Sequence, residues 1–166
     1  MFNAKSKNGF TLVEVLLSFA VMAILLTAIA TAFNASAINY RENENIFQSM
    51  NSARQAMFRI TNQLRTANAV DPNLPANECT LITADNEDVT YRYDSSDDKL
   101  YFVTNDDLTD SNYILCDNVS AMNFVKATET EDSVTYVKNV QISLTVQIGD
   151  VERKVCGAVV IRKNLD

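Results

Sequence analysis

Leu12 to Phe33 is a run of 22 residues interrupted only by Glu14 and a few hydroxyl side chains. At about 1.5 Å per residue a helix of this length reaches roughly 33 Å, the thickness of a bilayer hydrocarbon core. Lys5 and Lys7 precede the run, so the positive-inside rule predicts a cytoplasmic N-terminus with residues 41–166 carried across the membrane. Glu14 is the only charge from Phe10 to Tyr40. A carboxylate at the centre of a membrane helix costs about 2.5–3.5 kcal/mol, and less near the interface. Two readings follow: a glutamate that snorkels to the headgroups, or one that is held for a partner of opposite charge.

The flanking residues bear on that choice. Lys7-Asn8-Gly9-Phe10-Thr11-Leu12-Val13-Glu14 opens the apolar run, and 26 uncharged residues follow Glu14. This text resembles the type IV prepilin signature: a short basic leader ending in Gly, then Phe, then Thr-Leu-apolar-Glu at the head of a hydrophobic helix. The resemblance covers residues 5–33. It implies cleavage between Gly9 and Phe10 by a prepilin peptidase and N-methylation of Phe10 by the same N-methyltransferase system. It also implies that Glu14 neutralises the Phe10 ammonium of a neighbouring subunit, in keeping with the rule that charges in an apolar bundle are tolerated chiefly as pairs. Two other fates compete. Ala35-Ser36-Ala37 has the small-x-small form of a secretory signal peptidase site, which would release a chain starting at Ile38, but the apolar run exceeds a signal core of 7–15 residues. An uncut signal anchor is the other.

Past the span, Ile46, Met50, Ala53, Met57, Ile60, Leu64 and Ala67 recur at helical spacing and form one apolar stripe. No Gly or Pro lies between Phe10 and Asp71, so the helix is expected to continue to about Asn68, near 90 Å in all, until Asp71-Pro72-Asn73-Leu74-Pro75 stops it. The distal stripe should pack against a sheet. Arg54, Arg59 and Arg65 fall beside the stripe and read as a solvated flank.

From Cys79 the period becomes 2. Val89 to Tyr93 and Leu100 to Val103 flank a turn at Asp94-Ser95-Ser96-Asp97-Asp98 and predict a hairpin. Val119 to Val125 is a further strand. Val140, Ile142, Leu144, Val146 and Ile148 alternate strictly, Gly149-Asp150 turns, and Val155 to Ile161 returns. The expected fold class is α+β: a long pilin-like N-terminal helix with a C-terminal antiparallel sheet packed on its distal half. The segments are 1–9 leader, 10–33 membrane and filament-core helix, 34–69 amphipathic continuation, and 70–166 sheet domain. "VTYRYDSSDDKLYF", "ILCDNVSAMNFV", "VQISLTV", "AVVIRKN" and "ARQAMFRITNQLRTA" resemble the minor pilins and pseudopilins of the PilW-like and GspJ-like group. That resemblance implies a minor subunit at or near a filament tip, with other pilins or pseudopilins and the inner membrane as partners.

Composition narrows the chemistry. There is no histidine, which removes Ser-His and Cys-His nucleophilic sites and most zinc ligand sets. The formal charge is −7, and loss of Lys5 and Lys7 with residues 1–9 gives −7 − 2 = −9. An acidic body without a basic stripe is a poor nucleic-acid binder. No catalytic constellation is present, so the chain reads as a substrate of an enzyme and not as an enzyme. Cys79, Cys116 and Cys156 contain no CxxC pair. In an exported domain two of them could form a disulfide, with all three pairings open; three buried small side chains is the equal alternative. Asp94, Asp97 and Asp98, or Asp106, Asp107 and Asp110, could gather oxygens for calcium, but neither set has a recognised loop spacing and Asp with Ser is ordinary turn chemistry. No other cofactor is expected. Asn118-Val119-Ser120 is a glycosylation sequon by pattern alone. A signal-anchored periplasmic binding or sensor domain, with the helix as a tether, is the rival to the pilin reading.

Overall fold

The computed structural model describes residues 10–105 and 113–164. The chain divides into two compact units, Met1–Asn43 and Glu44–Asp166. One helix, α1 (Leu12–Thr66), begins in the first and ends in the second. Its continuity follows from the sequence, because no helix breaker stands between Phe10 and Asp71.

In the first unit every residue from Phe10 to Ser36 is exposed. The helix is long and apolar enough to cross a membrane. Three of its hydroxyl side chains are satisfied locally: Ser18 Oγ donates to Glu14 O (2.7 Å), Thr27 Oγ1 to Ile24 O (2.8 Å) and Thr31 Oγ1 to Ala28 O (2.9 Å). Such back-bonding lets Ser and Thr sit in an apolar span without an unpaired donor.

In the second unit the stripe expected from spacing is the buried face of α1. Ala53, Ala56, Met57, Ile60 and Leu64 are buried, and Met50 packs against the same core. Burying a side chain such as Ile60 or Leu64 stabilises the fold by about 1.5–3 kcal/mol. The strands are β1 (Ala69–Val70), β2 (Glu78–Ile82), β3 (Asp88–Asp94), β4 (Lys99–Thr104), β5 (Tyr113–Cys116), β6 (Val119–Glu131), β7 (Val134–Ile148) and β8 (Val151–Val160). A 3₁₀ turn at Arg162–Asn164 follows. Every strand pair is antiparallel. The fold is therefore α+β, with antiparallel sheets against the distal helix.

Three details of the secondary structure differ from the sequence reading. The strands form two sheets, ordered β1-β2-β3-β4-β5 and β6-β7-β8, where one was expected. The break comes at Asp117-Asn118: Asn118 takes φ 57°, its side chain donates to Ser49 Oγ on α1 (3.1 Å), and the chain leaves β5 to pair with β7 instead. The helix also ends at Thr66, short of Asn68. Asn68 N donates to Ile82 O (2.8 Å) and its side-chain amide to Thr83 O (2.9 Å), so the residues before Pro72 are drawn onto β2 as β1. Finally β6 and β7 run beyond the predicted strands and meet at Asp132-Ser133, both at positive φ (49° and 68°), as a two-residue hairpin loop requires.

The helix and the smaller sheet approach closely at Gly157. A Cβ there would lie 3.3 Å from Met57 Sδ and 3.5 Å from Thr61 Cγ2, so the missing side chain makes room for α1. Arg59 is not the solvated flank expected of it. It is half-buried with its guanidinium 4.0 Å from the centroid of Phe102, while the buried Tyr91 hydroxyl bonds Gln63 of the same helix. Burial raises the Tyr91 phenol pKa, and the nearby Arg59 charge opposes that rise.

Candidate functional site

The candidate residues Phe10, Thr11 and Glu14 stand together at the head of α1. Thr11 precedes the first helical residue, which makes it the N-cap, and Glu14 is then the third helical residue. Glu14 Oε2 accepts from both Thr11 N (2.9 Å) and Thr11 Oγ1 (2.9 Å), and Glu14 N donates to Thr11 Oγ1 (3.3 Å). This is a capping box, in which cap and glutamate satisfy each other's backbone donors. The carboxylate also faces the positive end of the helix dipole. Glu14 is therefore held at the helix N-terminus by its own chain, close to Phe10.

Phe10 is 87 % exposed, and Leu12, Leu16, Phe19, Ile24, Ile29 and Phe33 are exposed with it. A surface of this kind is too large and apolar to remain in water and marks a membrane or protein contact. Within it the only charged side chain is Glu14. Gly9, with Lys5 and Lys7, lies outside the described residues. Thr11 is the participant that residue-by-residue reading passed over, although Thr-x-x-Glu before an apolar run is itself a capping signature.

Residues 4–30 match the family model described as the prokaryotic N-terminal methylation motif. The chain carries a prepilin-type N-terminus. The match includes Gly9, Phe10, Thr11 and Glu14, and it supports a type IV pilin-like reading with membrane anchoring through α1. No curated protein and no solved structure matches the chain.

The other candidates do not gather into a site. Cys79 on β2 and Cys116 on β5 are buried, Cys156 on β8 is exposed, and all three are free thiols. β3 and β4 stand between β2 and β5, a separation of about 14 Å at one strand spacing each, whereas a disulfide needs Cα atoms within about 7 Å. Cys156 belongs to the other sheet. Burial raises the Cys79 thiol pKa to about 11 and that of Cys116 to about 12. Among the candidate calcium ligands, Asp94 Oδ1 accepts from Ser96 N (2.9 Å) and Ser96 Oγ (2.7 Å), which holds Asp94 below the usual carboxylate range. Asp97 pairs with Lys99 Nζ (3.4 Å) and takes the Tyr101 hydroxyl. These are turn contacts. Among the described residues no group of three or more acidic or cysteine side chains is placed to hold a metal ion. Asp106, Asp107 and Asp110 lie outside the described residues. Asn118, the sequon residue, spends its amide on Ser49.

Proposed function

We propose that the chain is a minor type IV pilin or pseudopilin, cut after Gly9, methylated on Phe10, and assembled with related subunits through residues 10–33. The observation that carries this reading is the methylation motif over residues 4–30 on a helix whose apolar side chains have no cover in their own unit. The chain waits in the inner membrane with its sheet domain outside the cytoplasm, then passes into a pilus or a secretion-type pseudopilus. It is a substrate of the prepilin peptidase and N-methyltransferase and has no catalytic role of its own. In the filament, Glu14 neutralises the Phe10 ammonium of a neighbour. Mass spectrometry of the mature N-terminus tests the reading. N-methyl-Phe10 is expected; an intact Met1 would favour the tethered sensor domain, and a start at Ile38 a secreted one.

A further inference from the structure

Within the sheet-domain unit only one side of α1 is covered. Ala53, Ala56, Met57, Ile60 and Leu64 hold the buried side. Phe47, Arg54, Phe58 and Arg65 follow at spacings of 7, 4 and 7, which sets them in one line along the exposed side. Phe47 is 64 % exposed and Phe58 69 %. Among the described residues neither Arg54 nor Arg65 forms an ion pair. Arg65, in the last turn, suits the helix dipole; Arg54 lies about three turns back and has no such reason to be there. Exposed aromatics beside arginine are the composition of a protein contact.

The charge of the chain is divided around this face. Residues 45–70 carry three arginines and no acid, whereas residues 71–166 carry 8 bases and 18 acids, 8 − 18 = −10. So acidic a domain opposes the approach of an anionic bilayer or a nucleic acid to the arginines beside it, and its own surface is what they complement.

One part of that surface projects. β6 and β7 outrun β8, whose last pair is Asn139↔Val160. Beyond it Thr128 to Thr135 form a two-stranded ribbon with no third strand on either side, and each of these residues is exposed. A ribbon of two strands is marginal in water by itself. Its charges are Glu129, Glu131 and Asp132. Lys138 Nζ pairs with Glu129 (2.6 Å), which leaves Glu131 and Asp132 without a cation among the described residues. Val134 beside them is 63 % exposed.

The ribbon end therefore offers two acids for two arginines and an apolar side chain for the phenyl rings. We propose that Glu131 to Val134 dock on the Phe47–Arg65 face of a second copy of this chain. The face spans about 27 Å along the helix and the ribbon about 14 Å, so the ribbon can lie along it. The two surfaces are different, so the contact is heterologous and can continue from copy to copy, where an isologous pair would close. This rests on the filament reading above and adds which surfaces of adjacent copies meet.

Charge exchange in the full chain tests it. Arg54→Glu with Arg65→Glu, and separately Glu131→Arg with Asp132→Asn, should each lower entry into filaments by about tenfold. Asn is chosen at Asp132 because it tolerates the positive φ there. All four changes together should bring entry back to within about threefold of wild type, which a folding defect would not do. In a Cys156→Ser background, Phe58→Cys with Val134→Cys should give a ladder of disulfide-linked multimers when isolated filaments are oxidised with copper phenanthroline, since Cys79 and Cys116 are buried. Wild-type entry of either charge pair, or filaments that give no ladder, overturns the contact and leaves the filament reading standing. A loss in the arginine pair that the combined variant does not restore marks a different acidic partner and also overturns it. A wild-type chain that never enters filaments overturns both.

Discussion

Glu14 caps its own helix and, in the filament proposed above, would also serve as counterion to a neighbouring subunit; the two roles are separable by substitution. As a cap it needs only a side-chain acceptor for Thr11 N and Thr11 Oγ1; as a counterion it needs negative charge. Glu14→Gln keeps an oxygen at the same reach and so keeps the capping box, since Gln substitutes for Glu in that motif. It removes the charge that would meet the Phe10 ammonium of the next subunit. Breaking one partner of a buried pair leaves the other uncompensated, and the expected loss in filament incorporation is about hundredfold or more. Thr11→Val does the reverse. It removes the hydroxyl that donates to Oε2 and accepts from Glu14 N, but leaves the charge and the Thr11 backbone bond. Loss of a threonine cap costs about 1 kcal/mol, or about fivefold. The assay is the ratio of filament to membrane pools for each variant, with N-terminal mass spectrometry on the same samples to show cleavage after Gly9. The order expected is wild type, then Thr11→Val, then Glu14→Gln far below. Incorporation of Glu14→Gln at or above the Thr11→Val level would refute the charge-pair argument and leave Glu14 as a cap alone.

Two further outcomes concern the sheet domain. Arg59→Ala should lower the stability of the chain by about 0.5–2 kcal/mol, since the guanidinium stacks on Phe102; Arg59→Lys should recover little of it, because an ammonium lacks the planar face. Denaturant titration of the full chain in detergent reads both. The buried thiols predict an alkaline limit. The unfolded chain releases thiol protons from about pH 9.0, while the folded chain holds them to about 11 at Cys79 and about 12 at Cys116. Raised folded pKa values mean the stabilisation is complete below pH 9.0 and is lost as pH rises through 11 and 12, at about 1.4 kcal/mol per pH unit for each thiol. Stability measured from about pH 8 to 11 should be flat and then fall. Replacing both Cys79 and Cys116 by Ala should remove the thiol part of that slope, and an unchanged slope would refute it.

The parts of this fold that showed in the sequence are those set by periodicity. The 4-3-4-3 spacing from Ile46 to Ala67 fixes which face of α1 is buried, and the alternation from Val140 to Ile148 fixes which side of β7 faces the core. Neither depends on distant residues. What did not show depends on them. The separation into two sheets turns on Asn118 reaching Ser49, 69 positions away. The early end of α1 turns on Asn68 meeting Ile82 and Thr83. Asp132-Ser133 lacks the glycine that usually marks a tight hairpin, so β6 and β7 read as shorter than they are. Arg59 lies beside the helical stripe by spacing, yet Phe102 on β4 draws it in. At the N-terminus the methylation motif is legible because it is local, and the Thr-x-x-Glu spacing that makes Thr11 a cap is just as local.

The capping box and the proposed charge pair do not compete for the same atoms. Both hydrogen bonds from Thr11 fall on Oε2 of Glu14, and among the described residues no partner takes Oε1. A carboxylate has room for several donors, and holding one oxygen at home points the other outward. Thr11 thus removes rotamer freedom that Glu14 would otherwise lose when a neighbour arrives. A glutamate already ordered on its own helix end can meet an ammonium from another chain without first being released. The same arrangement would serve the proposed waiting state, because within lipid the helix N-terminus gives the carboxylate donors that the hydrocarbon cannot. One local motif would therefore suit both environments of the proposed assembly route.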